Sequence, residues 1–439
     1  MRFLFINQYY APDFAATAQQ MTDLCERLAA AGHDVDVIAS RALYDGREIA
    51  LPAHEVINGV SVHRVSLLTK SRRRFRHRLT GYVSFMAGAF WKANRVPRPD
   101  VVVALTTPPL VCLLGAWLKR FRRTRFVFWV MDIYPDIAEK AGLLRRHRMV
   151  APVWSWLARK GYHSADRLIV LGHCMRDVLI GKGVDPSRID VLPNWSAKDE
   201  VFPVAPAENA FRRRHLRPGQ FTVMYSGNMG ACHTFAPLFK ALPTLNGGDN
   251  FDFLFVGSGK KRDELREKLG ILGKHVRFLP YQERGDLAAS LSAPDAHLIT
   301  LDPRFDGLLV PSKIYGIMAA SRPIVFVGSG NNEVASTIRE ANCGLLVDPE
   351  DPAGLLQALR QLAADPEEAA AMGQRGRAHL EAQFEREQAT ERFRLILERE
   401  AREGDPQWKT FKTPSGPNPL PETELPLVSR ERATTPVPE

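Results

Sequence analysis

The sequence predicts an α/β protein of two facing Rossmann-like domains with parallel sheets and an interdomain cleft. Three observations predict it. Short apolar, β-branched runs alternate with helical patterns along most of the chain, and such alternation gives parallel sheets with helices on both faces. The runs fall into two series, each about the size of one doubly wound domain. Between them lies NWSAKDEVFPVAPAENA at 194–210, polar, Pro-bearing and unpatterned, which reads as a linker.

The first series of strands is expected at Arg2–Ile6, Val35–Ala39, Val101–Leu105, Phe126–Val130, Arg167–Leu171 and Ile189–Leu192. The second is expected at Thr222–Ser226, Phe253–Val256, Val276–Leu279, Ala296–Thr300, Ile324–Val327 and Gly344–Val347. Helical patterns between them include Thr17–Ala31, Val150–Tyr162 and Ala353–Ala364. The expected organisation is an N-terminal domain at 1–197 and a C-terminal domain at 198–385. A helix at 386–403 then packs back on the first domain. Residues 404–439 hold eight prolines and few large apolar side chains, the composition of a disordered tail.

The 439 residues are 45% hydrophobic and 25% charged, ordinary for globular domains. Five scattered cysteines without CxxC or a Cys/His cluster point to a reducing compartment and away from structural zinc. No signal peptide is read at MRFLFINQYY. Pro108-Pro109 breaks the apolar stretch 101–118, so no membrane-spanning helix is expected. The net charge of +10 is uneven: residues 1–200 hold 30 Lys+Arg against 18 Asp+Glu, the rest 29 against 31. The excess clusters at KSRRRFRHR (70–78), KRFRRTR (119–125) and RRHR (145–148). Arg72, Arg73, Arg74, Arg76, Arg78, Arg122 and Arg123 are the candidate acceptor- or membrane-facing cations. With Phe75, Tyr82, Phe85, Phe90 and Trp91 nearby, they favour an anionic membrane surface. A solvated basic face is the plainer reading of any one cluster.

The first strand leads into NQYYAPDFAATAQQ, which has no glycine, and no Walker A sequence occurs. Both facts count against a dinucleotide dehydrogenase and a P-loop enzyme. In the second half, strand ends carry SGNMGACH (226–233), GSGKK (257–261) and LDPRFDGLLVPSK (301–313). Tight turns alone explain a single GSG. Pro311 and Ser312 suit a helix start, and Lys313 beside it makes an anion site suited to a diphosphate. A capped core helix with a solvent-facing lysine is the plainer alternative.

Across roughly residues 1–400 the sequence resembles family 4 glycosyltransferases of the GT-B fold, of the bacterial exopolysaccharide, colanic-acid or O-antigen type. The likeness rests on QYYAPDFAATAQQMTDLCERLAAAGHDVDVIAS, ALTTPPL, FVFWVMDIYPD, ADRLIVLGHCMRDVLIGKGV, DVLPNWS, YSGNMGACH, FVGSGKKRDEL, VPSKIYGIMAASRPIV and CGLLVDPEDP. It implies retaining, metal-independent and cofactor-free transfer of a hexosyl or N-acetylhexosaminyl group from a nucleotide-sugar donor, UDP favoured. The implied acceptor is a polyprenyl-diphosphate-linked sugar at the inner face of a bacterial membrane, reached by a cytoplasmic, peripheral enzyme without nucleic-acid partners. Carried over by position, Gly257, Ser258, Gly259 and Lys260 meet the nucleotide. Pro280 and Tyr281 lie near the base, and Ser312 and Lys313 near the diphosphate. Glu333 matches a glutamate often present in relatives. Many relatives have an Arg and a Lys where Asn228 and His233 stand, and a Glu pair where Leu308 and Gly316 stand. Lys313, Lys260 or Lys261 are the candidate replacements for the lost cations. Asp132 takes the position of a histidine common in relatives and is the candidate to orient or deprotonate an acceptor hydroxyl; capping the turn before Tyr134-Pro135 is its plainer role. A nucleotide-sugar epimerase of the same fold, or a non-catalytic nucleotide- or nucleic-acid-binding protein, are the alternatives.

Overall fold

The computed structural model describes residues 1–13, 15–44, 50–68, 75–144, 149–245 and 250–404. Eight strands form the first sheet: β1 (Arg2–Ile6), β2 (Asp34–Ser40), β3 (His54–Ile57), β4 (Val60–Val65), β5 (Val101–Ala104), β6 (Arg125–Val130), β7 (Arg167–Val170) and β8 (Ile189–Val191). Their order is β3-β4-β2-β1-β5-β6-β7-β8. All pairings are parallel except β3 with β4. Six form the second: β9 (Phe221–Ser226), β10 (Phe251–Val256), β11 (Val276–Leu279), β12 (Ala296–Thr300), β13 (Ile324–Val327) and β14 (Gly344–Val347), in the parallel order β11-β10-β9-β12-β13-β14. The fold class is that read from the sequence: two parallel-sheet α/β domains. The antiparallel β3–β4 hairpin is an addition.

Helices of the first domain are α1 (Ala16–Ala30), α2 (Phe75–Ala93), α3 (Cys112–Arg122), α4 (Asp136–Lys140), α5 (Val150–Ser164) and α6 (His173–Gly181). Those of the second are α7 (Ala210–His215), α8 (Ala236–Ala241), α9 (Arg262–Leu269), α10 (Leu287–Ser292), α11 (Lys313–Ala319), α12 (Glu333–Ala341), α13 (Pro352–Ala364) and α14 (Pro366–Gln383). The last helix, α15 (Arg386–Gly404), lies against α1, β5 and β6 of the first domain. Among the described residues no helix is long and apolar enough to cross a membrane.

The central strands are apolar on both faces, as layers of helix on each side require. β5 and β13 are buried at every position. The chain crosses between domains twice, side by side: the Ser196 amide donates to the Phe384 carbonyl at 3.2 Å. Trp195 fixes the first crossing. It stacks on Trp129 at 5.9 Å, and its Nε1–H donates to Asp23 at 3.0 Å. Glu400, fully buried on α15, pairs with Arg125 and Arg167 and ties that helix to the first sheet. The first domain's apolar core continues into α11, α12 and the adjoining faces of β12 and β13. The cleft edges of the two sheets are therefore held by shared packing.

Candidate active site

The donor side of the cleft is built from three strand ends. After β9, Gly227 stands at φ +127°; after β10, Gly257 and Gly259 stand at +125° and +141°. L side chains rarely adopt these angles. The loops interlock through backbone: the Gly227 amide donates to Val256, the Met229 amide to Ser258 at 2.7 Å, and the Gly257 amide to Leu279. A Cβ on Gly257 would meet the Gly227 carbonyl oxygen at 2.3 Å, and one on Gly259 would meet the Met229 backbone at about the same range. Bare backbone is therefore forced here, and bare backbone is what can approach a ligand closely. Tyr281 caps this group through a hydrogen bond with Ser258, and burial raises its hydroxyl pKa. Asn228 and Lys260 are exposed at the rim.

Lys313 occupies the centre. Its Nζ is buried, makes no hydrogen bond, and lies 3.6 Å from the centre of the Tyr225 ring. It sits beneath Gly227, where an added Cβ would stand 3.6 Å from Nζ. Burial pulls its pKa well below the ordinary 10.5. Cation–π attraction offsets part of the desolvation, but a buried ammonium without a carboxylate or carbonyl partner still lacks a counter-charge. The plainer reading of a solvent-facing lysine is excluded. Ser312 stands at the N-cap of α11, at the helix start the sequence indicates, with helical backbone angles and no side-chain capping hydrogen bond. Pro311 is buried beside it.

His233 lies in the loop between β9 and α8. Its ring is buried and its Nδ1 lies 2.6 Å from the Thr300 carbonyl. Burial first, then the Lys313 charge, pull its pKa well below 6.5. A neutral ring donating from Nδ1 leaves Nε2 as an acceptor. Lys261 lies against the same loop, its Nζ donating to the His233 carbonyl at 2.5 Å.

Asp132 lies across the cleft in the loop after β6. Two backbone links bring it to the loop that carries Lys313. Asp132 bridges to Leu309, and the Ile133 amide donates to the Leu308 carbonyl at 2.9 Å. Burial pushes its carboxyl pKa up to about 6. It opens onto a narrow crevice of about 10 Å³ lined by Thr106, Leu110, Phe128, Tyr134, Trp154 and Tyr162 among others. Thr106 Oγ1 and Trp154 Nε1 are buried there without hydrogen-bond partners. The structure thus brings Asp132, Lys313, His233, Gly257, Ser258, Gly259 and Tyr281 to the cleft edges of the two sheets.

Two candidate residues take partners that the sequence did not indicate. Glu333, expected at the donor, accepts from the His173 amide at 3.0 Å, at the start of α6 in the other domain. Its carboxylate fills the space left by Gly172, where a Cβ would meet it at 2.4 Å. Arg122, expected to face a membrane, donates to the Ala93 and Val96 carbonyls at 2.6 and 3.1 Å and caps α2. Arg123 is exposed at the C-cap of α3 at φ +52°. Arg72, Arg73 and Arg74 lie outside the described residues, as do the side chains of Arg76 and Arg78 and the residues from 405 on. Pro280 is exposed and serves through its carbonyl, which accepts from Gln282. Tyr225 and Trp154 were missed. They read as strand and core positions, and only the fold turns them toward the cleft.

Comparison with known proteins decides the family. A glycosyl transferase 4-like domain matches residues 16–195, and a glycosyl transferases group 1 domain matches 220–365. The chain belongs to the family 4-type glycosyltransferases. This glycosyltransferase is 29% identical over 276 residues to the probable glycosyltransferase WbjE of Pseudomonas aeruginosa, covering 61% of this chain and 67% of that one. It is 25% identical over 375 residues to the putative colanic acid biosynthesis glycosyl transferase WcaI of Escherichia coli K12, covering 82% and 92%. Among solved structures, sucrose-phosphate synthase of Thermosynechococcus elongatus superposes with a TM-score of 0.71 at 17% identity, over 91% and 98% of the chains. Anabaena HepE in complex with UDP-glucose gives 0.68 at 16%, over 91% and 100%. At these identities the structures establish the shared GT-B fold.

Proposed function

We propose that this glycosyltransferase moves a sugar from a nucleoside diphosphate donor, a UDP-sugar in the first instance, to a lipid-linked glycan in the assembly of a surface polysaccharide. Transfer proceeds with retention and without a metal ion. The observation that carries the reading is Lys313, a buried lysine without a counter-charge beside two loops whose glycines, Gly227, Gly257 and Gly259, leave only bare backbone there. A diphosphate supplies that charge. The name of WcaI, a putative colanic acid transferase, supports the polysaccharide setting, and the UDP-glucose complex of HepE supports the choice of nucleotide.

In this reading the donor diphosphate lies against Gly227, Gly257 and Gly259. The anomeric C–O bond breaks toward the diphosphate, and Lys313 stabilises the negative charge that develops on the leaving oxygen. The acceptor oxygen attacks from the same face, and its proton passes to the leaving diphosphate. Asp132, ionised above pH about 6, orients that hydroxyl. The basic first domain holds the anionic acceptor lipid and the membrane surface.

Thermal unfolding with UDP, GDP, CMP and NAD tests the donor half. A ligand at a hundred times its dissociation constant stabilises by about 2.7 kcal/mol. A shift with one nucleoside diphosphate, lost in Lys313→Ala, is expected, followed by anomer-retaining transfer with the matching sugar nucleotide. Turnover of the sugar nucleotide without acceptor would favour the epimerase. No shift with any nucleotide would overturn the donor site.

A further inference from the structure

Helix α5 closes over the loop that carries Asp132. It packs on α3, and the approach is close: a Cβ on Gly161 would meet Cys112 Sγ at 2.3 Å. Gly161 and Ala158 are both buried, and two such small residues let the helix press down. Trp154, one turn earlier on the same face, lies parallel to the Tyr134 ring at 6.1 Å. The Tyr162 hydroxyl donates to the Tyr134 carbonyl at 2.9 Å. On the other side the loop after β5 is held by backbone, the Gln8 amide donating to the Thr107 carbonyl at 2.7 Å. The indole of Trp154, the hydroxyl of Thr106 and the carboxyl of Asp132 thus line one crevice from three different elements.

The polar groups of that crevice are unpaired. Thr106 is 5% exposed, and neither its Oγ1 nor Trp154 Nε1 has a hydrogen-bond partner among the described residues. Burial alone raises the Asp132 carboxyl to about 6, with no hydrogen bond or charge to offset it. Buried donors left unpaired are costly, and native interiors pair them with protein or water. The crevice, about 10 Å³, has room for one water and none for a sugar carbon beside its hydroxyl. Chemistry narrows the occupant further. An indole N–H only donates and cannot ligate a metal ion, while an ionised carboxylate only accepts and repels an anion. One water accepts from Trp154 and Thr106 and donates to Asp132. Those three bonds are the usual number for a buried water.

We propose that Trp154, Thr106 and Asp132 bind a single water molecule, and that this water holds the carboxyl in place for the acceptor hydroxyl. Thr106 and Trp154 are then positioning residues for the transfer. One carboxyl oxygen accepts from the water and the other is left for the acceptor, Asp132 being only half-buried. A carboxyl fixed at one oxygen has less orientation to lose when substrate binds. The water also favours the ionised form, the form that accepts from a hydroxyl. The positioning role rests on the part given to Asp132 in the proposed transfer; the water site does not. The titratable neighbours are Tyr162 on α5, Cys112 on α3 and Cys232 in the loop after β9. Burial raises each of them, the cysteines to about 12. Asp136 on α4 is paired with Lys182 at 2.6 Å. Lys313 and His233 lie across the cleft, and an Asp132→Asn control separates their titration from that of Asp132.

The test follows the seven indole N–H signals of the full chain by NMR, with that of Trp154 assigned through Trp154→Phe. In wild type this signal is expected to show a cross-peak to a long-lived water and to shift with pH about a midpoint near 6. Asp132→Asn abolishes the pH shift. Thr106→Val keeps the side-chain shape but removes the hydroxyl; it erases the cross-peak and moves the midpoint up to about 7 or higher. Thr106→Ser restores both. In transfer assays Thr106→Val and Trp154→Phe lower kcat by about tenfold or more and leave the KM for sugar nucleotide unchanged. They also move the acidic limb of the pH profile up. Trp156→Phe, exposed on the same helix, changes none of these. Near-ultraviolet circular dichroism checks that each variant is folded. No long-lived water at the Trp154 indole would overturn the site. So would an indole that titrates with Asp132 while Thr106→Val has no effect, the sign of a direct bond between Trp154 and Asp132. A water in place with unchanged transfer in Thr106→Val overturns the positioning role. Unchanged transfer in Asp132→Asn removes the reading of Asp132 and the positioning role with it, while the cross-peak and the midpoint still decide the water site.

Discussion

Lys313 shows how a functional residue departs from what stability alone would select. A methionine of similar length would fill the same space without the desolvation cost. Lys313→Met is therefore expected to stabilise the nucleotide-free protein, by about 1–3 kcal/mol, while abolishing the thermal shift with nucleoside diphosphate. A loss of stability in that variant would mean that Lys313 has a counter-charge in the free protein. Proton linkage follows from the same geometry. The free-state pKa lies well below 10.5, and a bound diphosphate raises it again. Affinity therefore weakens as pH rises above the free-state value, and proton uptake on binding grows over the same range; calorimetry in buffers of different ionisation enthalpy measures it. Asp132 has the opposite chemistry. Its folded pKa of about 6 stands above the ordinary 3.8, so the protonated form stabilises the fold below pH 4, and that contribution disappears as pH rises through 6. Asp132→Asn is expected to match wild type near pH 4 and exceed it above pH 6, by at most about 3 kcal/mol. Transfer activity in the variant falls by about a hundredfold. Unchanged activity would assign Asp132 to the loop alone. Lys313 was legible in the sequence as an anion ligand. Its burial was not, because Tyr225, the ring that receives it, sits some ninety residues earlier in a strand that reads only as core.

At the scale of elements, the parallel strands were legible because a strand buried on both faces must be apolar throughout, and no other short segment of a soluble chain is. The β3–β4 hairpin was missed although its signal was present. Asn58 and Gly59 both stand at positive φ, +47° and +83°, the two-residue turn that Asn-Gly favours. The flanking runs HEVI and VSVHRV are short and carry His, Glu and Arg, which hides the alternation. The glycine loops make a sharp test of element geometry. Gly257→Ala puts a Cβ against a carbonyl oxygen at positive φ and is expected to cost about 3 kcal/mol or more, with loss of nucleotide binding. Gly219 also stands at positive φ, +76°, but has open space around its Cβ position. Gly219→Ala is expected to cost about 1 kcal/mol and to leave nucleotide binding intact. Equal costs at the two positions would show that the interlocked loops are not tight, and chemical denaturation of the pair decides it.

Over the whole molecule the two domains meet through polar clasps as well as shared core, and these determine whether Asp132 and Lys313 face one another. At the crossing, Arg284 of the second domain pairs with Glu200 at 2.7 Å and with Asp23 on α1 at 3.5 Å, while Arg386 at the start of α15 pairs with Glu200 and Asp199. At the far edge, Glu333 holds the start of α6. Its carboxylate accepts from the His173 amide, and the positive end of α6 favours the ionised form against the burial that raises its pKa. A charge-assisted bond of this kind contributes about 1.5–3 kcal/mol. Removing it in Glu333→Ala frees the His173 amide, and hydrogen exchange there is expected to accelerate by about tenfold to a hundredfold, while amides of β5 and β13 keep their protection. Because the clasp brings the donor loops against the acceptor domain, the same variant is expected to raise the KM for sugar nucleotide more than it lowers kcat. Retained protection at His173 would mean that packing of α11 and α12 against the first domain holds the cleft without the glutamate. Faster exchange spread through both sheets would mean global destabilisation instead. Only acceleration confined to the start of α6 fits a hinge-side and an edge-side clasp acting on two otherwise rigid domains.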